Sequence, residues 1–263
     1  MRGSPLTRAD AGPDAGAADL WTLSEHRVPE LAARLGGPEL LAPDERTRHD
    51  RLLRTGSRRR FLGGRLLARL ALSTRTGLPP DTWRFVRGAN GRPEPVPNSA
   101  GLRFNLSHTD GLIVCVLTRG RGCGADVERV PFDAEKTRLL NAFLGPADPD
   151  LATSERWVLA EAYLKGVGVG LAGGLKDLRF RHQGGGRFGV ADGRRPDLAR
   201  RWRLDLLRPS AHHLVAVATE GGGTLRRREP GTALSRTPLP SLPSLPSPTA
   251  LTSPTPLPDL LRP

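Results

Sequence analysis

The centre of the chain most constrains how it can fold. Residues 112–117 read Leu-Ile-Val-Cys-Val-Leu, an unbroken apolar run of strand length. The run predicts a buried strand. The tight connection Arg119-Gly120-Arg121-Gly122 then turns the chain straight into a second strand over 123–130. Helical and strand patterns are interspersed around this pair. Residues 43–54, 58–76 and 153–165 read as helices; 82–87, 102–107, 202–207 and 213–218 read as strands. Such an order predicts an α+β fold with largely antiparallel sheets. The 119–122 connection divides the globular part into halves of similar size, 19–120 and 121–220. Residues 1–18, small and polar, and 221–263, which end in Pro, Leu, Ser and Thr, are expected to be disordered.

Charge narrows the partners. The chain has 263 residues, 40 Lys and Arg against 27 Asp and Glu, and a net charge of +13. That balance favours a polyanionic or acidic partner without choosing among them. The cysteines, Cys115 and Cys123, lie in strand-like sequence without metal-ligand spacing, as expected of a reduced, cytoplasmic protein. No apolar run is long enough to span a membrane, and the N-terminal residues lack the apolar core of a signal peptide.

Three constellations can carry chemistry. In Gly124-Ala125-Asp126-Val127-Glu128, a strand would point Asp126 and Glu128 to one face. Two adjacent carboxylates suit Mg²⁺, although a solvated strand end would look the same. In the segment from Trp157 to Lys165, Trp157, Glu161 and Lys165 share one side of a helix. An ordinary helix ion pair explains Glu161 and Lys165 equally well; a third metal carboxylate with an ammonium one turn away is the functional alternative. In Phe104-Asn105-Leu106-Ser107-His108, Ser107 and His108 would face opposite ways along a strand. That argues against a Ser–His dyad and favours anion binding from a strand end, or a purely structural serine.

Taken in order, Asn-x-Ser-His, Gly-x-Asp-x-Glu and Trp-x-x-x-Glu-Ala-x-x-Lys resemble the 4'-phosphopantetheinyl transferase family, in its larger surfactin-synthetase-activating type. The segments 43–48 and 60–65, the turn Gly91-Arg92-Pro93, Phe143-Leu144 and residues 213–218 extend the resemblance over about residues 20–219. The resemblance implies a pseudo-dimer of two similar α+β halves with the active site in the cleft between them. It implies a monomeric enzyme that moves phosphopantetheine from coenzyme A to a serine of an acyl or peptidyl carrier protein, with Mg²⁺. Carried over by position, Asp126, Glu128 and Glu161 hold the metal, and Glu161 is the base. Lys165 neutralises the pyrophosphate. Ser107, His108 and Arg48 bind the nucleotide phosphates, Arg92 lies along the adenosine side, and Arg46 and Arg60 are further candidates.

One departure stands out. Where the family usually has lysine before the helix glutamate, this chain has Ala160. The resemblance implies the loss of a cation near phosphates; with Glu161 and Lys165 intact, an active if impaired enzyme is expected, and a non-catalytic carrier-binding relative is the alternative. An arginine-rich nucleic-acid-binding protein is the alternative from another class. It explains the charge but not Asp126, Glu128 and Glu161, which would repel phosphate.

Overall fold

A computed structural model describes residues 16–88, 91–170 and 174–234. Helices α1 (Val28–Leu35), α2 (Pro43–Asp50) and α3 (Thr55–Thr76) follow strand β1 (Ala17–Ser24). Next come the hairpin β2 (Arg84–Arg87) and β3 (Pro93–Val96), then β4 (Leu102–Thr109), β5 (Leu112–Arg119) and β6 (Cys123–Arg129). The remainder holds α4 (Ala134–Leu144), α5 (Thr153–Val167), β7 (Leu178–His182), β8 (Arg187–Asp192), α6 (Pro196–Ala199), β9 (Trp202–Ser210), β10 (His213–Glu220), β11 (Thr224–Arg228) and α7 (Pro230–Leu234). The fold is α+β.

Two sheets dominate it, ordered β11-β1-β5-β4 and β6-β10-β9-β8-β7. Alternation along β5 shows why its sequence is apolar throughout. Ile113, Cys115 and Leu117 pack with α1 and α3 in one core. Leu112, Val114 and Val116 face the other way, into a core shared with Cys123, Ala125 and Val127 of β6 and Val215 and Val217 of β10. A third core lies between the second sheet and helices α4 and α5. The layers therefore run helix, sheet, sheet, helix. At one side of the two sheets, the edge strands β4 and β6 meet.

The structure corrects both expected disordered ends. Ala17 and Ala18 already belong to β1 and are buried. Residues 224–228, expected in a disordered tail, form β11, which pairs in parallel with β1 from Ala17↔Thr224 to Trp21↔Arg228. Ala233 of α7 enters the first core. Thr-Leu-Arg-Arg-Arg does not read as a core strand because it is an edge strand, held partly by charge. Buried Asp19 accepts from Arg228 at 3.2 Å and from Arg75 at 2.9 Å. The expectations for residues 1–15 and 235–263 lie outside the described residues.

Candidate active site

The site lies on the seam between β4 and β6, and a glycine contact brings the helix to it. A side chain at Gly124 would overlap the carbonyl of Ala162 and the amide of Gly166. Glycine there lets α5 lie with its backbone against β6. Gly166 in turn leaves room for Trp202, whose ring would lie 2.5 Å from an added Cβ. This close crossing carries Lys165 onto the strand carboxylate. The Lys165 ammonium lies 2.5 Å from Asp126 Oδ1 and 3.6 Å from Glu161 Oε2.

Asp126 is buried, and its Oδ2 has no hydrogen-bond partner among the described residues. Glu161 is held above the ordinary carboxylate range by burial, with the neighbouring carboxylates Asp126 and Glu128 adding to the rise and Lys165 opposing it. Glu128 sits on the same strand face but is engaged elsewhere. Its Oε1 accepts from the Trp157 indole at 3.0 Å and its Oε2 from Lys136 at 3.0 Å. Among the described residues, no three His, Cys, Asp or Glu side chains stand close enough to hold a metal ion. The structure thus gathers Asp126, Glu161 and Lys165, and leaves Glu128 one step aside.

The seam itself is laced by side chains. Along β6, the residues paired with β10 alternate with residues whose backbone groups face β4. Three of these outward groups are met by side chains. The Cys123 carbonyl accepts from Arg92, the Ala125 amide donates to Asn105 Oδ1 at 2.9 Å, and the Val127 amide donates to Ser107 Oγ at 3.3 Å. Arg92 also donates to the Gly166 carbonyl at 3.0 Å and the Phe104 carbonyl at 3.5 Å. It therefore ties β4, β6 and the end of α5 together. Ser107 donates to Asp126 Oδ1 at 2.9 Å, not to His108.

An arginine-lined cleft leads away from the seam. Glu45 pins α2 onto α3 through Arg69 at 2.6 Å and Arg65 at 3.1 Å, and accepts the Ala42 amide at the start of α2. One helical turn further on, Arg48 lies with its guanidinium 5.4 Å from the Phe61 ring centre, and Arg65 lies 5.1 Å from the same ring. Arg48, Phe61, Arg65 and Pro93 line both a cavity of 640 Å³ that opens toward Arg51 and Arg87 and a smaller one of 170 Å³ that reaches Ser107 and His108. Burial, together with the cations Arg60, Lys165 and Arg48, holds the His108 imidazole below its ordinary range. Arg60 bridges Glu25 at 2.8 Å and Asp110 at 2.7 Å, and Arg46 reaches the Glu39 carbonyl at 3.4 Å. A separate cavity of 1020 Å³ lies on β7–β9 and contains none of the candidate residues.

Ala160 precedes Glu161 on α5 but turns its side chain the other way. It is 0% exposed in the core between α5 and the second sheet. The turn of the helix sends positions 157, 161 and 165 to the seam and position 160 away from it. The alanine side chain itself therefore points into that core, not toward the phosphate-facing groups at the seam. Sequence reasoning also assigned no role to Asn105 or Lys136, although Asn105 stood within a quoted motif.

Two proteins of known name are similar to this chain. The 4'-phosphopantetheinyl transferase HetI of Nostoc sp. (strain PCC 7120) is 29% identical over 221 residues, 78% of this chain and 88% of that protein. A Synechocystis sp. (strain PCC 6803) protein of the same family name, slr0495, is 26% identical over 155 residues, 54% of this chain and 63% of its own. No protein-family profile matches the chain. These similarities support a transferase of the 4'-phosphopantetheinyl transferase kind.

Proposed function

We propose that this protein transfers the 4'-phosphopantetheine group of coenzyme A to a serine of an apo acyl or peptidyl carrier protein. The observation that carries this reading is the meeting of Asp126, Glu161 and Lys165 at the seam, beside a cleft of arginines. We read the two helix-covered sheets as the halves of a pseudo-dimer, with the site in the cleft between them. Because both halves are in one chain, it would work as a monomer. Two buried, unpaired cysteines suit a reducing, cytoplasmic setting.

The donor set fits a hard divalent cation. Asp126 Oδ2 is a buried carboxylate oxygen without a partner among the described residues, and Mg²⁺ is usually held by one or two carboxylates, water and substrate phosphate. Asp126 and Glu161 would hold it, with Glu128 joining if Lys136 releases it. Bound there, Mg²⁺ would supply Lewis-acid polarisation of the pyrophosphate.

The chain's own residues supply the rest. The serine oxygen forms a bond to the phosphorus of the phosphopantetheine phosphate, while that phosphorus loses its bridging oxygen to adenosine 3',5'-bisphosphate. Glu161 would take the serine proton, directly or through water. Lys165, already at the carboxylates, carries positive charge to the departing phosphate. Arg48 and His108 would bind the nucleotide phosphates at the cleft wall. The net charge of +13 would speed encounter with polyanionic coenzyme A and with an acidic carrier.

Intact-mass spectrometry of apo carrier protein with coenzyme A and Mg²⁺ tests this. The expected result is a gain of one phosphopantetheine, lost with EDTA and with Glu161→Ala. No gain on any carrier class from a folded, coenzyme A-binding protein would instead identify a carrier-binding relative without activity. Binding of random oligonucleotide but not of coenzyme A at physiological salt would favour nucleic acid as the partner.

A further inference from the structure

We infer that Asn105 and Ser107 are positioning residues whose side chains stand in for a main-chain ladder between β4 and β6 and so set the Asp126 carboxylate. The resemblance gave Ser107 a contact with nucleotide phosphate; the geometry points elsewhere. A serine hydroxyl has one proton to donate and two lone pairs to accept with. The Ser107 proton goes to Asp126 Oδ1 at 2.9 Å. Its lone pairs meet the Val127 amide at 3.3 Å and the Lys165 ammonium at 3.3 Å. The hydroxyl is filled and the residue is buried, so a phosphate oxygen could reach it only by displacing one of these partners.

Asn105 does the matching work one pleat earlier. It is buried, and its Oδ1 accepts from the Ala125 amide at 2.9 Å. Because the side-chain period of a strand is two, Asn105 and Ser107 reach β6 at Ala125 and Val127, the residues flanking Asp126. The backbone on either side of Asp126 is thus pinned from β4. At the same time the Ser107 hydroxyl and the Lys165 ammonium hold Oδ1, which leaves Oδ2 as the free oxygen. Residues that orient a catalytic or metal-binding carboxylate act through its geometry, and their loss shows in turnover more than in substrate affinity.

The test compares full-length wild type with Ser107→Ala, Ser107→Thr, Asn105→Leu and Asn105→Asp. The first readout is amide hydrogen exchange without ligand, which does not depend on the functional reading. Ser107→Ala should raise exchange at Val127, and Asn105→Leu at Ala125, while the amides of Asp126 and Glu128, on the edge facing β10, keep their protection. Ser107→Thr and Asn105→Asp retain the acceptor and should restore it. The second readout rests on the functional reading above. Ser107→Ala should lower kcat by about 10- to 100-fold, while coenzyme A affinity by calorimetry stays within about twofold. Ser107→Ala removes one oxygen atom and decides the matter if Asn105→Leu does not fold. Unchanged exchange at Val127, or loss of coenzyme A affinity with kcat kept, overturns the inference. A wild type that neither binds coenzyme A nor modifies a carrier refutes the functional reading instead, and the exchange data still decide the seam.

Discussion

Helices α3 and α5 each cross a sheet at a glycine, yet they cross differently and deliver opposite chemistry. At Gly63 of α3, an added Cβ would come 2.6 Å from Ile113 Cδ1 and 2.6 Å from Val28 Cγ2. Those atoms are side-chain methyls, which repacking of the core can shift at a cost. At Gly124, under α5, it would meet backbone, the Ala162 carbonyl and the Gly166 amide. The first crossing is soft and brings guanidinium groups to a wide cleft, where a flexible phosphate-bearing ligand tolerates small shifts. The second is rigid and brings Glu161 and Lys165 to Asp126, where reacting groups need close placement.

The largest expected effect breaks that rigidity. Gly124→Ala should destabilise the protein by more than about 3 kcal/mol, or prevent folding, because neither backbone can yield. Gly63→Ala should cost about 1–3 kcal/mol, as overpacking against movable side chains does. Urea unfolding of the two variants measures the difference. Equal losses would show that the two crossings do not differ in stiffness.

Next in size is Glu161→Gln, which separates function from stability at the rigid crossing. Turnover should fall by about 10²- to 10⁴-fold if Glu161 is the base. Stability should move the other way. A carboxyl whose pKa is raised on folding binds protons more tightly folded than unfolded. Its charge therefore costs stability as pH rises from the unfolded pKa through the raised folded one, and the cost is complete at neutral pH. Glu161→Gln should raise the thermal midpoint at pH 7 and flatten its pH dependence in the acid range. A lower midpoint would mean that the Lys165 pairing outweighs burial.

These two regions also differ in how much the sequence reveals. The period-two and helical patterns of β4, β5, β6, α3 and α5 were legible because burial imposes them, and Asp126, Glu161 and Lys165 were legible as same-face spacings. The seam was not. The Arg92 guanidinium reads as a ligand-facing cation until its contacts with the carbonyls of Cys123, Gly166 and Phe104 are seen, and these lie at sequence separations no local pattern reaches. Likewise β11 hides because Arg226-Arg227-Arg228 looks like a solvated run, and the partner of Arg228, Asp19, is distant in sequence. The position of Ala160 was legible from helix phase, but the resemblance drew attention to its missing charge.

Ala160→Lys follows in size. Its side chain would enter a core where alanine is fully buried, so an ammonium must be desolvated or the helix displaced. We expect a loss of about 2–4 kcal/mol in stability and no gain in coenzyme A affinity. Tighter coenzyme A binding by the variant would show that the lysine can reach phosphate from that position. On the soft side, Arg48→Ala should weaken coenzyme A by about tenfold with little change in kcat, since the arginine has no carboxylate partner among the described residues to lose. A fall in kcat without a change in affinity would move Arg48 from binding to catalysis.

The smallest effect sharpens the comparison most finely. Gly64 neighbours Gly63 on α3, but its added Cβ would find only Leu106 Cδ1 at 3.8 Å, Ile113 Cγ2 at 3.9 Å and Leu106 Cδ2 at 4.0 Å. These are ordinary contacts. Helical glycine is entropically costly, so Gly64→Ala should stabilise the protein by about 0.5–1 kcal/mol. Gly64 also walls the small cavity beside Ser107 and His108. If the ligand lies loosely on the arginine side, the added methyl should weaken coenzyme A by no more than about threefold, even as the unfolding midpoint rises. A much larger loss of affinity with the same gain in stability would put the ligand hard against α3. The cleft would then be as exacting as the α5 crossing, and the contrast between a soft binding side and a rigid reacting side would have to be given up.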